Sequence, residues 1–347
     1  YVRWTTNAWR RYFGNTHKRN HGAVEMIDLA ATGLTYQGET MEHSPDTLGQ
    51  LRRSDDVSED VDALRRRMEE DGYLFLPGLL HRDEVLAARQ EALRRLASGG
   101  IVDDQNHPLI DGVVCTDQST AFSPELAKDN QPLMRVLYEG PMIAFYERFL
   151  GGQVRHFDYT WFRAKTPGVD NATTPHYDAV YMSRGTRNLW TSWTPLGDVP
   201  LDHGGLVVLE GSHQQDELRA TYGETDVDKF CDQGDAARIV ADARAAGREL
   251  TAEERQSIQW NSTGQYSNDA IATRRELGGR WLTAEYAAGD LLVFSMHTMH
   301  ASSDNQSDRM RLSSDSRYQL ASEPVDERWI GDNPPIHGIR AKRGMVC

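Results

Sequence analysis

The sequence predicts a mainly β domain with flanking helices, of the jelly-roll type known as the double-stranded β-helix or cupin-like fold. Three observations support this. The first part of the chain carries apolar residues at helical spacing. From Val154 onward the texture changes to short apolar runs separated by Gly, Pro, Asp and Asn turns. The residues best suited to chemistry are split between positions 176 and 300, which favours one domain.

Residues 1–56 are polar and mixed, with Trp4, Trp9, Tyr12 and Phe13 near the front, and read as an arm packed on the domain. Val57, Val61, Leu64 and Met68 predict a helix that Gly72 stops. Tyr73–Leu76 reads as a short strand ended by Pro77-Gly78. A second amphipathic helix is expected over Asp83–Leu96, closed by Gly99-Gly100. A third is expected over 132–150, where Leu133, Val136, Leu137 and Phe145 are apolar. Residues 57–150 thus form a mostly helical support. The jelly-roll core spans 151–320, with strand candidates at 154–164, 176–182, 188–194, 205–210, 290–296 and 310–319. Residues 214–288 interrupt these strands. They are charged and part helical, Thr251-x-x-Glu254 fits a capping box, and an excursion of this length reads as a lid over the barrel mouth. Residues 321–347 form a C-terminal tail, and 1–347 reads as a single domain.

Composition narrows the function. The formal charge is −14, from 38 basic and 52 acidic residues, and no Lys/Arg run is present. Nucleic acid and anionic membrane are therefore not expected as partners. Cys115, Cys231 and Cys347 are scattered, which argues against a disulfide framework and a Cys-rich zinc site. No apolar stretch is long enough for a bilayer span, and no signal-like segment is visible, so a reducing cytoplasm is the expected compartment. The chain gives no indication of oligomeric state.

The tripeptide His176-Tyr177-Asp178 carries the chemistry. On an extended segment, side chains two apart point the same way, so His176 and Asp178 share a face and Tyr177 takes the other. Two imidazoles and one carboxylate on one face of an octahedral metal leave three positions open, as in non-heme Fe(II) oxygenases. A second His-x-Asp, His156-Phe157-Asp158, is a rival pair. Downstream, Gly289-Asp290 opens the apolar run Leu291-Leu292-Val293-Phe294, and His297, His300, Ser302, Asn305, Arg309, Arg311 and Arg317 follow.

These pieces resemble the phytanoyl-CoA dioxygenase family of Fe(II)/2-oxoglutarate oxygenases. The matching segments are Asp71–Gly78, Lys165-Thr166-Pro167-Gly168, His176-x-Asp178, Ser192-Trp193-Thr194-Pro195-Leu196, Gly204–His213 and Gly289 through Arg311. The resemblance implies that His176, Asp178 and His300 hold Fe(II). His300 is preferred over His297 because Ser302 and Arg311 stand two and eleven residues beyond it. It implies that Arg311 anchors the distal carboxylate of 2-oxoglutarate, a task suited to a planar guanidinium, with Ser302 adding a hydroxyl bond. Arg309 and Arg317 share its strand parity and compete for that role. Lys165 serves the oxoacid or the substrate, and Trp193 walls the cosubstrate pocket. Tyr177 stands where the family commonly has Gln. The implied activity takes O2 and 2-oxoglutarate, releases succinate and CO2, and hydroxylates a C–H bond of a small molecule. Two other readings remain: a cupin-type metal enzyme without 2-oxoglutarate, and a non-catalytic metal-binding jelly-roll.

Overall fold

The structure, a computed structural model, describes residues 33–228, 234–251, 253–254 and 264–337. Trp4, Trp9, Tyr12 and Phe13 lie outside the described residues. The jelly-roll expected from the sequence is present, as a six-stranded sheet facing a four-stranded one. The larger sheet runs β4 (Tyr73–Leu76), β10 (Leu291–Ser295), β7 (Trp190–Pro195), β12 (Arg311–Leu320) and β5 (Val154–His156), and β6 (Trp161–Lys165) also pairs with β12. The smaller runs β11 (His300–Ser302), β8 (Leu206–Leu209), β9 (Trp281–Thr283) and β3 (Leu48–Gln50). A short hairpin, β1 (Thr35–Tyr36) with β2 (Glu39–Thr40), precedes them.

Alternation along β12 explains the layering. Leu312 and Tyr318 face outward into the apolar cluster shared with the helices. Arg311, Ser313, Asp315 and Arg317 hold the other parity and face the space between the sheets, where the partners found for the three charged ones lie. The strand is buried from Arg311 to Gln319. The outer face of the large sheet is covered by α1 (Val61–Asp71), α2 (Arg82–Ser98), α3 (Gln131–Tyr138) and α4 (Gly140–Leu150). Helix α1 starts where the Asp60 carboxylate accepts from the Ala63 amide at 3.0 Å, and it stops at left-handed Gly72.

The element boundaries differ from expectation at three places. The helix expected over 132–150 is two helices: Glu139 between them is extended, at φ −138° and ψ −179°, and Pro141 has no amide hydrogen to continue the first. The strand expected over 154–164 is broken into β5 and β6. Between them Phe157 donates to the Arg317 carbonyl at 3.0 Å, whereas Asp158 turns to Trp329 at 2.9 Å. The strand expected over 176–182 is a single bridge from His176 to His300, followed by a 3-10 turn over Asp178–Val180. Strands β3 and β9 fall outside the strand candidates and pair in parallel.

Helices α5 (Asp216–Ala220), α6 (Gly234–Ala245) and α7 (Ala270–Leu277) lie within 214–288. The capping box is formed. The Glu254 amide donates to Thr251 Oγ1 at 3.1 Å, and the Thr251 amide donates to Glu254 Oε2 at 2.8 Å. Among the described residues, no helix is long and apolar enough to cross a membrane.

Leu312 sits fully buried at the centre of the helix-facing cluster. Leu312→Ala is expected to lower the unfolding free energy by about 2–5 kcal/mol in urea titration. Ile110→Ala, at a side chain 39% exposed, is expected to stay within about 0.5 kcal/mol of the parent.

Candidate metal and cosubstrate site

His176 and His300 are joined by two backbone hydrogen bonds, each amide donating to the other's carbonyl at 3.1 Å. In such a pair the side chains leave on one face, and the imidazole centroids stand 4.1 Å apart. Tyr177 is extended, at φ −94° and ψ 139°, so Asp178 returns to the same side. Asp178 Oδ1 lies 3.7 Å from His176 Nε2 and 4.0 Å from His300 Nε2. Among the described residues, these three form the group of His, Cys, Asp or Glu side chains that could hold one metal ion. All three are buried.

Each imidazole is aimed by its other nitrogen. His176 Nδ1 lies 2.7 Å from the Thr174 carbonyl, and His300 Nδ1 lies 3.0 Å from the Thr298 carbonyl. A carbonyl only accepts, so both Nδ1 atoms carry the hydrogen and both Nε2 lone pairs face Asp178. Burial and the neighbouring His300 draw His176 down to about 3, and burial lowers His300. Both rings are therefore neutral and ready to donate to a metal at neutral pH. Burial alone would raise the Asp178 carboxyl. The Arg317 guanidinium and the Thr191 hydroxyl outweigh it and hold the group well below the ordinary carboxylate range.

The rivals are elsewhere. The His156 ring stacks on Tyr138 at 4.1 Å, and its Nδ1 bonds the Phe157 carbonyl at 2.9 Å. Asp158 accepts from the Gly331 amide at 2.6 Å. His297 packs against Tyr177 at 5.7 Å, away from the triad. Tyr177 itself donates to the Ser212 carbonyl at 2.6 Å, on the outer side of the small sheet. Its substitution for Gln therefore puts nothing into the interior.

Next to the triad lie two buried cations. Arg311 donates Nε to the Gly204 carbonyl at 3.1 Å and Nη1 to Ser313 Oγ at 2.5 Å. Lys165, opposite Arg311 in the β6–β12 register, donates to Ser302 Oγ at 2.7 Å and to the Ser303 carbonyl at 3.0 Å. Ser302 Oγ also accepts from the Thr173 amide at 2.7 Å, so its own hydrogen remains to donate. Neither cation forms an ion pair among those found for the described residues. Burial and the adjacent Arg163 draw Arg311 down to about 10, and burial and Arg311 push Lys165 well below the usual amine range. Two desolvated cations without a carboxylate are costly unless an anion joins them. A dicarboxylate cosubstrate fits this requirement, and two imidazoles with one carboxylate fit ferrous iron.

Arg309 is exposed and its ion pairs are with Asp111 and Asp308, and Arg317 instead reaches Asp178 at 3.0 Å. Trp193 is fully buried, its ring edge-on to Tyr286 at 4.6 Å, and its Nε1 has no hydrogen-bond partner. Sequence reasoning missed Thr191 and Ser313. Ser313 had a signal, since it stands two residues after Arg311 and shares its face. Thr191 had none, because its partner Asp178 meets it only through the fold.

A jelly-roll with two neutral imidazoles and a carboxylate between its sheets, beside unpaired buried cations, defines the class of non-heme Fe(II)/2-oxoglutarate-dependent oxygenases. The chain belongs to the phytanoyl-CoA dioxygenase (PhyH) family, whose model matches residues 68–313. It is 27% identical over 288 residues to a 1-deoxypentalenic acid 11-beta-hydroxylase of Streptomyces exfoliatus, covering 80% of this chain and 87% of that one. A hydroxylase of the same description from Streptomyces arenae is 26% identical over 49% of this chain and 60% of its own length. The fold is shared with SnoK, a non-heme alpha-ketoglutarate-dependent carbocyclase from nogalamycin biosynthesis, at a TM-score of 0.50 and 16% identity over 84% of this chain and 92% of that one. The family and fold expected from the sequence are borne out, as is the oxygenase reading. The two readings without 2-oxoglutarate leave the cations Arg311 and Lys165 unexplained.

Gly204 supplies the carbonyl under Arg311 at φ +72°, and a Cβ there would stand 3.1 Å from the Asn305 amide, Lys165 Cδ and the Ser303 carbonyl. Gly204→Ala is expected to cost about 1 kcal/mol or more and to lower the melting temperature. Gly99→Ala, at φ −86° with its nearest neighbour at 3.4 Å, is expected to be near neutral in the same assay.

Proposed function

We propose that His176, Asp178 and His300 bind Fe(II), that Arg311 seats the distal carboxylate of 2-oxoglutarate, and that the enzyme hydroxylates a mid-sized, partly apolar small molecule. The observation that carries this reading is the convergence of three buried donor atoms within 4.8 Å of one another, beside an unpaired buried guanidinium. When bound, iron and 2-oxoglutarate supply the oxidation: O2 and the oxoacid are consumed, succinate and CO2 leave, and a C–H bond becomes C–OH.

The residues of the chain bind, orient and exclude water. The carbonyls of Thr174 and Thr298 keep both Nε2 atoms turned to the metal. Arg311 and Ser313 form a cationic, hydrogen-bonding end for the cosubstrate, and Lys165, set by Ser302, adds a second positive contact. Trp193 walls the cosubstrate pocket from the apolar side, within a cluster that includes Tyr286, Leu292 and Phe294. That cluster keeps bulk water from the reacting centre, where charge interactions strengthen as water is removed. The described residues act as one domain, and the described part of the 214–288 segment covers the approach to the site. Tyr266 donates its amide to the Pro175 carbonyl at 2.8 Å, one residue before His176, and this supports a covering role. The substrate class is supported by the Streptomyces relatives named for hydroxylating 1-deoxypentalenic acid.

Purified protein is expected to bind Fe(II) and, with 2-oxoglutarate under argon, to show a weak visible charge-transfer band. His176→Ala or His300→Ala abolishes iron binding in equilibrium dialysis, whereas His297→Ala and His156→Ala retain it. Arg311→Ala keeps iron and weakens 2-oxoglutarate by about 10- to 100-fold, the loss of charge-assisted bonds worth about 1.5–3 kcal/mol. Iron lost in His156→Ala, or 2-oxoglutarate affinity unchanged in Arg311→Ala, would overturn the assignment.

A further inference from the structure

We propose that Arg317 is a positioning residue for the metal: with Thr191 it holds Asp178 Oδ2, so that the carboxylate meets the ion through Oδ1 alone. This rests on Asp178 being a metal ligand, as proposed above. Arg317 Nη2 donates to Asp178 Oδ2 at 3.0 Å, and Thr191 Oγ1 donates to the same oxygen. The Trp161 ring lies against the guanidinium, with its centroid 4.1 Å from Cζ, and fixes the plane in which it reaches Asp178. The free oxygen, Oδ1, is the one that faces both imidazoles.

The rest of the guanidinium makes the case. Arg317 is 3% exposed, and its Nε and Nη1 are buried with no hydrogen-bond partner. An arginine placed for stability alone spreads its donors. Arg328, also buried, uses Nε and Nη2 on Asp326, Nη1 on Asp228 and Nη2 on the Tyr181 carbonyl. Arg317 instead gives up two donors to make one contact, and that contact is to the proposed ligand. Unmade buried bonds are destabilising, so the arrangement favours function over stability.

The consequence is chemical. A carboxylate with both oxygens free can chelate a metal and occupy two positions. Held by Oδ2, it would bind through Oδ1 alone, leaving room at the ion for the cosubstrate. The cation also draws electron density from the carboxylate, and Thr191 prevents rotation about Cβ–Cγ.

The test uses the full chain and Co(II) as the metal probe, read by equilibrium dialysis, by the visible ligand-field spectrum and by metal-free melting temperature. Arg317→Gln is expected to weaken Co(II) about 10- to 100-fold, the range for partners of ligating groups, and to change the spectrum. Arg317→Lys, which keeps a cation, restores part of the affinity. Thr191→Val, which removes only the hydroxyl, changes the spectrum in the same direction with a smaller loss. Asp178→Ala separates the two readings. If it binds Co(II) like the parent, the ligand assignment itself is wrong. If it loses the metal while Arg317→Gln and Thr191→Val keep parental affinity and spectrum, the positioning role is wrong. Should Arg317→Gln not fold, Thr191→Val and Arg317→Lys decide alone: unchanged spectra in both overturn the proposal.

Discussion

Two backbone hydrogen bonds between His176 and His300 hold the functional architecture together. They join residues far apart in the chain, and their antiparallel geometry places the imidazoles side by side before any metal is involved. Everything else at the centre is built outward from that pair. The extended backbone of Tyr177 returns Asp178 to the same face, and the 3-10 turn that begins at Asp178 is anchored where Ala179 donates to the Met296 carbonyl at 3.0 Å. Preformed ligands of this kind lose little conformational freedom when an ion binds.

The polar interior is tolerable because the sheets are sealed outside. Strand β12 carries the apolar Leu312 and Tyr318 toward the helices and a charged row toward the site. Tyr318 stacks on Tyr146 at 4.1 Å, and Tyr146 bonds Ser192 at 2.7 Å, so helix α4 is locked to the outer face of β12 and β7 together. That rigidity matters, because these same strands present Arg311, Arg317 and Thr191 inward. Charges inside a low-dielectric core must be fixed as well as paired.

The fold class and the meeting of His176, Asp178 and His300 were legible because they depend on local rules. Period-two alternation puts Arg311 inward wherever β12 lies, and His300, Ser302 and Arg311 keep a spacing that reads directly from the chain. The role of Arg317 was not legible. It shares the parity of Arg311, but its partner Asp178 is 139 residues away and reaches it only through the fold. The helix break at Pro141 was visible in the sequence, and the apolar run across it masked the break. The rival pair His156 and Asp158 shows the limit of motif reasoning from the other side. It has the same spacing as His176 and Asp178, and what separates the two pairs is a tertiary neighbour, Tyr138 for one and His300 for the other.

The interior also has a direction. An apolar cluster of Tyr73, Phe75, Trp193, Leu206, Val208, Tyr286 and Phe294 fills one part of the space between the sheets. Lys165, Arg311 and Ser302 occupy another, and the triad borders both, since the Phe294 ring stands 4.5 Å from that of His300. The buried positive charge of the interior thus lies at the Arg311 end, and the apolar side offers no compensation for a buried charge. Tyr181 stands on another side of the triad, its ring meeting that of His176 edge-on at 5.5 Å and its carbonyl accepting from Arg328 at 3.1 Å. Arg328 is in turn held by Asp326 of the C-terminal region and by Asp228, which belongs to the 214–288 segment. Tyr181, beside His176, is thus tied through Arg328 to Asp228 and Asp326, residues distant from it in the sequence.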